Sequence, residues 1–157
     1  MALTAGDPAP PFALPGVLGG VRREYTLAEF AGRPVVLAFY PGDNTPVCTR
    51  QLNAYSSDIG HFLELDAQVL AASPESLDSH QGFAESQGGF AFPLLADLDK
   101  TLARDYGVLG PMGFYRRSVF VIDGAGIVTY VHRGHAASTF KRTDELIDAI
   151  EAARSHR

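Results

Sequence analysis

The sequence predicts an α/β fold in which helices flank a central mixed sheet, with a hairpin at its N-terminal end. Three patterns carry that prediction. Val35-Val36-Leu37-Ala38-Phe39-Tyr40 and Gln68-Val69-Leu70-Ala71-Ala72-Ser73 are short runs free of charge, which suits strands buried on both faces. Each is followed by residues with helical periodicity, as parallel strands joined by crossover helices require. Near the C-terminus, 118–122 and 127–132 flank Asp123-Gly124-Ala125-Gly126, a hairpin signal that makes the sheet mixed. With 157 residues and no internal repeat or linker, the chain reads as one domain, 1–157.

Taken in order, Gly6-Asp7-Pro8-Ala9-Pro10-Pro11 is an irregular lead-in, and strands near 12–14 and 21–25 pair across a Gly-rich turn. Thr26-Leu27-Ala28-Glu29 fits a capping box, so a short helix runs towards Phe30 and stops at Gly32. Beyond the strand at 35–40, Leu52, Tyr55, Ile59 and Phe62 or Leu63 recur every three to four residues and predict an amphipathic helix. Pro74 ends the strand at 68–73. Residues 76–87 read as a helix with Leu77, His80, Phe83 and Ala84 on one side and Gly88-Gly89 past its end. His80 is read there as a packed or half-exposed histidine, not a ligand. Phe92 to Ala96 is a short strand or extended segment, and Asp97 or Asp99 caps a helix through 103–106 that Gly107 closes. Leu146, Ile147, Ile150 and Ala153 mark the buried face of a C-terminal helix.

The chemistry concentrates at one corner, Pro41-Gly42-Asp43-Asn44-Thr45-Pro46-Val47-Cys48-Thr49-Arg50, between a strand and a helix. Thr45 stands where an N-cap belongs. Pro46 stands where the first helical residue belongs, because that position has no intrahelical use for an N–H. Cys48 then falls in the first turn, where unpaired N–H groups and the helix dipole favour an anion. With Pro46 lacking a donor, the amides of Val47 and Cys48 are left to face the sulfur or an oxygen bound to it, and the Thr45 hydroxyl can join them. A free cysteine is commonly a small buried hydrophobe. At this corner it is placed to be a reactive thiolate.

Pro41, Thr45 and Cys48 reproduce the pattern Pro-X-X-X-Thr-X-X-Cys, and on it the chain resembles the peroxiredoxins, a family of thiol peroxidases. Leu27-Ala28-Glu29-Phe30-Ala31-Gly32-Arg33-Pro34-Val35-Val36-Leu37 is similar to the family's approach to its first core strand. Arg117-Ser118-Val119-Phe120-Val121-Ile122-Asp123 is similar to the strand that begins with its active-site arginine. The likeness spans nearly the whole chain, and Tyr40 to Leu52 reads most like the bacterioferritin-comigratory-protein or peroxiredoxin Q branch. The resemblance implies a thioredoxin-like fold, no cofactor, and reduction of hydrogen peroxide and organic hydroperoxides. It implies a catalytic set of Cys48, Thr45, Arg117 and Pro41, with the backbone N–H groups of Val47 and Cys48 binding the substrate.

Such a reaction needs more than an ionised sulfur. A thiol with a pKa of ~8.5 is only about 3% ionised at pH 7, and a pKa of ~6 raises that about thirtyfold. The same shift lowers intrinsic nucleophilicity roughly tenfold or more. The larger contribution must come from holding the peroxide in line and stabilising the breaking O–O bond. The guanidinium of Arg117 would hold thiolate and peroxide together, Thr45 would accept a backbone N–H and donate its own proton to the peroxide, and Pro41 would close the pocket to water. Alternation puts Arg116 on the opposite face from Arg117, and only the family's spacing selects between them. Leu109, Met112 and Phe114 are candidates for the pocket mouth, for packing or for a dimer contact.

Close relatives often carry a resolving cysteine five residues after the first, where this chain has Asn53. Cys48 is its single cysteine. The expected mechanism is therefore a one-cysteine one, in which a thioredoxin-like or glutaredoxin-like protein or a small thiol resolves the sulfenic acid. From another class, a peroxide-sensing domain that signals through a partner without efficient turnover uses the same residues. A Cys-X-X-Cys reductase is excluded by the lone cysteine.

Composition bounds the rest. Hydrophobic residues make up 46% and charged residues 20%, as in a globular chain, and the net charge of −5 argues against a nucleic-acid or membrane surface. The pairs Arg22-Arg23, Arg116-Arg117 and Lys141-Arg142 are scattered and form no stripe. His132-X-X-His135 straddles a strand end with no second cysteine nearby, which disfavours a metal. No Gly-rich phosphate loop follows a strand. Met1 to Pro11 lacks the features of a secretory leader, and a lone thiol suits a reducing compartment, so a cytoplasmic monomer or homodimer is expected.

Overall fold

The computed structural model describes residues 3–110, 113–134, 141 and 143–154. In chain order it runs β1 (Ala13–Leu18), β2 (Val21–Thr26), a 3-10 turn (Ala28–Phe30), β3 (Val35–Phe39), α1 (Pro46–Ser57), α2 (Ile59–Glu64) and β4 (Gln68–Ser73). It continues with α3 (Leu77–Ser86), β5 (Leu94–Ala96), α4 (Thr101–Tyr106), β6 (Ser118–Ile122), β7 (Val128–Arg133) and α5 (Thr143–Arg154). The strands form one seven-stranded sheet in the order β2-β1-β5-β4-β3-β6-β7. Every residue of β3 is buried, because β4 pairs with it in parallel on one side and β6 antiparallel on the other. This is the mixed, helix-flanked architecture that the alternating runs predict, and the thioredoxin-like one that the resemblance implies.

Side-chain alternation divides the core into two layers. Val36, Ala38 and Tyr40 pack with Cys48, Leu52, Tyr55, Phe83, Val119, Val121 and Leu146, under α1, α3 and α5. Val35, Leu37 and Phe39 pack with Leu102, Tyr106 and Phe120 on the face that α4 and the 3-10 turn cover. Arg117 is in phase with Val119 and Val121. It therefore points into the layer that holds Cys48.

Several elements differ from the sequence expectations for local reasons. The first strand does not stop near Leu14 but continues through Pro15 and Gly16 to Leu18. Gly16 is needed there for close approach, since an added Cβ would lie 2.7 Å from Tyr25 Cδ2 and 2.8 Å from Leu95 Cδ2. The turn is Gly19-Gly20, both at positive φ (+58° and +79°), the geometry of a two-residue hairpin. The helix after Cys48 breaks at Asp58 (φ −97°, ψ 14°) into α1 and α2, although its apolar period persists through Phe62. Thr26 and Glu29 do exchange the capping-box bonds, at 2.8 and 3.4 Å, but the helix they start is one 3-10 turn.

Asp97 and Asp99 both bind the start of α4 without occupying its N-cap, where Lys100 sits at φ +61°. Asp97 accepts from the amides of Leu102 and Ala103 at 3.0 Å each and from the Tyr115 hydroxyl, and Asp99 accepts from Thr101 N at 3.0 Å. The hairpin at 123–126 forms as predicted, with Asp123 Oδ1 accepting from Ala125 N and Ile127 N, each at 2.9 Å.

Candidate active site

The site is built where β3 runs into α1. Tyr40 is fully buried, Pro41 is half-buried directly after it, and Asn44 takes a left-handed conformation (φ +62°) that turns the chain into the helix. Thr45 is the N-cap residue by backbone geometry, in extended conformation, and Pro46 is the first helical residue. Val47 and Cys48 follow at the second and third positions, where no carbonyl lies a turn earlier to receive their N–H groups. Cys48 is completely buried.

The Thr45 side chain departs from expectation. It makes no capping bond to a helix amide; its hydroxyl donates to the carbonyl of Gly42 at 3.1 Å. The helix start is held instead through the Thr45 carbonyl, which accepts from Thr49 N at 2.9 Å and Thr49 Oγ1 at 2.7 Å. Pro46, at the first helical position, carries no N–H, so the helix start has one unpaired donor fewer.

Of the two adjacent arginines, Arg117 is the one that meets Cys48. It is 5% exposed, its Nη2 lies 3.2 Å from Cys48 Sγ, and its Nη1 donates to Gln51 Oε1 at 2.5 Å. Arg116, one residue earlier and therefore on the other face, turns towards the carbonyls of Arg133 and Gly134 at 3.4 Å. Gln51 Nε2 in turn lies 3.4 Å from Tyr55 Oη, which donates to the Lys141 carbonyl at 2.6 Å. Burial holds the Tyr55 phenol well above its ordinary range, so it stays a donor. Gln51 was not singled out from the sequence, and Tyr55 was read only as part of the apolar face of the helix. Their spacing of three and seven residues from Cys48, along one face of α1, is the signal that points to them.

A second polar group lies beneath the loop. Asp43 Oδ1 accepts from Tyr40 Oη at 2.7 Å, and Asp43 Oδ2 accepts from Ser79 Oγ at 2.7 Å and lies 2.8 Å from His80 Nδ1. His80 is fully buried, and its Nε2 meets the Leu95 carbonyl at 2.9 Å. Burial first, and then the charge of Asp43, keep the Tyr40 phenol well above its usual range.

Of the other sequence candidates, Leu109 is half-buried and bridges to Tyr115, while Phe114 is 67% exposed. Met112, His135 and Arg142 lie outside the described residues. Among the described residues no group of three or more His, Cys, Asp or Glu side chains could hold a metal ion.

Comparison with known proteins bears on this geometry. The model of the AhpC/TSA family matches residues 5–131. The chain belongs to the peroxiredoxin family. It is 38% identical to peroxiredoxin tpx1 of Schizosaccharomyces pombe, over 99% of this chain and 86% of that one. It is 40% identical to peroxiredoxin TSA1-B of Candida albicans, over 83% and 70% of the two chains. Among solved structures it resembles the reduced 2-Cys peroxiredoxin of Plasmodium vivax, with a TM-score of 0.89, 29% identity and 97% of each chain covered. Peroxiredoxins are thiol peroxidases, so this peroxiredoxin is an oxidoreductase of that class.

Proposed function

We propose that this peroxiredoxin reduces hydrogen peroxide and organic hydroperoxides by a one-cysteine mechanism centred on Cys48. The observation that carries the reading is the 3.2 Å approach of the buried Arg117 guanidinium to the buried Cys48 sulfur at a helix start. The thiolate attacks one peroxide oxygen, the S–O bond forms as the O–O bond breaks, and the leaving oxygen takes a proton to become water or alcohol. Arg117 and the amides of Val47 and Cys48 stabilise the charge spreading over the two oxygens. Thr45 donates to the peroxide by exchanging its present acceptor, the Gly42 carbonyl, for the substrate. Pro41, at the mouth beside it, limits water.

An external thiol then attacks the sulfenic sulfur and releases water, and a second thiol reduces the mixed disulfide. Two reducing equivalents thus turn one hydroperoxide into an alcohol and water. The donor is a thioredoxin-like or glutaredoxin-like protein or a small thiol, and a cytoplasmic setting would supply it. Placement in the bacterioferritin-comigratory-protein or peroxiredoxin Q branch rests on Tyr40 to Leu52 alone. The test is mass spectrometry of Cys48 after one equivalent of peroxide, with and without added thiols. Sulfenic acid that added thiol returns to thiol supports turnover; an unmodified sulfur refutes it.

The fate of the oxidised sulfur makes a second test. Position 53 lies about 7.5 Å along α1 and some 140° around it from Cys48, and Asn53 donates to Gln87 Oε1 at 2.9 Å, towards the end of α3. Nothing there rewards unwinding. Wild type should show no intramolecular disulfide and should pass to sulfinic acid at high peroxide without reductant, while Asn53→Cys, provided the rest of the helix tolerates opening, should trap a disulfide to Cys48. Hydrogen exchange in reduced and oxidised wild type checks the premise: extensive loss of protection across 45–55 on oxidation would sink it.

Thr45 gives a third expectation. Thr45→Val should slow Cys48 oxidation about tenfold or more, as the loss of one donor to the transition state, and Thr45→Ser should keep most of the rate. Because no side-chain cap is present, Thr45→Val should cost less than the ~1 kcal/mol of a lost cap. Equal rates for the Val and Ser variants would remove the hydroxyl from the chemistry. The chain has no tryptophan, so these rates are read by competition with a haem peroxidase.

A further inference from the structure

The buried polar group under the loop is unused by the chemistry above, yet it joins four segments at one carboxylate. Asp43 sits in the middle of the loop 41–45, Tyr40 at the end of β3, Ser79 and His80 in the early part of α3, and Leu95 in β5. The hydrogens can be counted. The Leu95 carbonyl only accepts, so His80 Nε2 carries a hydrogen. His80 Nδ1 lies 3.0 and 2.8 Å from the two Asp43 oxygens, so another hydrogen lies between ring and carboxylate. Tyr40 and Ser79 each give one more, and Tyr40 Oη also lies 3.2 Å from His80 Nδ1. Asp43 thus meets three polar side chains, and His80, anchored on β5, cannot swing away without leaving a buried polar atom unpaired.

We propose that Asp43, His80 and Tyr40 form a clasp that holds the loop 41–45, and with it the place from which the Thr45 hydroxyl turns from the Gly42 carbonyl to peroxide. Gly42 is buried, and its carbonyl is both the peptide neighbour of Asp43 and the acceptor of the Thr45 hydroxyl at 3.1 Å. Fixing Asp43 therefore fixes the resting acceptor of the hydroxyl and, through the loop backbone, the position from which it meets peroxide. Asn44, the residue between Asp43 and Thr45, is in the left-handed region, so the chain reverses there over a short span and a shift of Asp43 passes directly to Thr45. The three clasp residues are positioning residues, since their hydrogen bonds run to one another, to the side chains of Ser73 and Ser79 and to the Leu95 carbonyl, and they act on peroxide through Thr45. This inference rests on the peroxidase reading.

A double-mutant cycle tests it. Peroxide oxidation of Cys48 is measured in wild type, Asp43→Ala, Thr45→Val and the double variant, by competition with a haem peroxidase. Asp43→Ala should be about tenfold slower than wild type, and Asp43→Ala added to Thr45→Val should cost less than a further twofold, because the group it aims is already gone. Alkylation of Cys48 by iodoacetamide, which uses the sulfur but not the hydroxyl, should hold or rise as the loop loosens. A fall in alkylation equal to the fall in oxidation, effects that multiply in the cycle, or an Asp43→Ala rate within twofold of wild type would each overturn the clasp. If Asp43→Ala does not fold, Tyr40→Phe replaces it in the same cycle, keeping the ring and removing one donor. It should slow oxidation about threefold in the native background and leave the Thr45→Val background unchanged; no slowing overturns the clasp. Wild type that peroxide leaves unoxidised overturns the peroxidase reading itself, whereas oxidation of wild type with unchanged clasp variants overturns the clasp alone.

Discussion

Cys48→Ser should abolish peroxide consumption while leaving the fold in place, with a rate lower by on the order of a thousandfold or more. The hydroxyl is far less acidic than a thiol and a poorer nucleophile towards oxygen, so neither Arg117 nor the helix start can supply what sulfur does. The fold should tolerate the change. Serine fills less volume than cysteine, and its oxygen can accept from Arg117 Nη2, which the sulfur now faces at 3.2 Å, so the stability cost should stay within the ~0.5–3 kcal/mol of common point changes. The measurement is peroxide consumption by variant and wild type at matched concentration, alongside thermal melts. Residual activity above a few per cent, with the fold intact, would falsify the assignment of Cys48.

How much of this was legible in the sequence depends on whether the signal was local. The run 35–40 needed no context: apolar residues without charge dictate a strand buried on both faces, and its first five became β3, an interior strand between β4 and β6. The same holds for Pro46 at the first helical position and for the Asp123-Gly124-Ala125-Gly126 hairpin, whose carboxylate binds its own turn. Arg117 was selected over Arg116 by resemblance, and strand alternation then delivered it to the Cys48 layer.

Long-range partners were not legible. His80 sat on an apolar helix face and read as packed or half-exposed, and its complete burial decides for the first, but nothing local says that a carboxylate 37 residues earlier meets it. Pro15-Gly16 has the composition of a turn, yet Gly16 is there because Tyr25 and Leu95 crowd it. The same limit misjudged Thr45. Its position fits an N-cap, but whether the hydroxyl turns to a helix amide or to the Gly42 carbonyl depends on the loop, and the loop is held from beneath by side chains of α3.

Arg117→Ala should lower the second-order rate of Cys48 oxidation about 100- to 1,000-fold, the scale of removing one preorganised donor from a charge-developing transition state. Arg116→Ala should stay within about threefold, because its guanidinium faces the carbonyls of Arg133 and Gly134 and not the sulfur. The size of the first effect follows from the fork. One guanidinium arm meets Sγ while the other is held by Gln51, itself packed against Tyr55, so the cation is fixed before peroxide arrives and needs little reorganisation. Arg117→Lys should fall between the two, keeping the charge but losing the planar fork that spans sulfur and amide. Arg117→Ala should also destabilise the fold, by the ~1–3 kcal/mol of a buried acceptor left unpaired at Gln51 Oε1. Melting curves therefore accompany the kinetics, and rates are compared at a temperature where every variant is folded. If Arg116→Ala proved the slower of the two under those conditions, the geometry drawn here for the thiolate and its cation would be wrong.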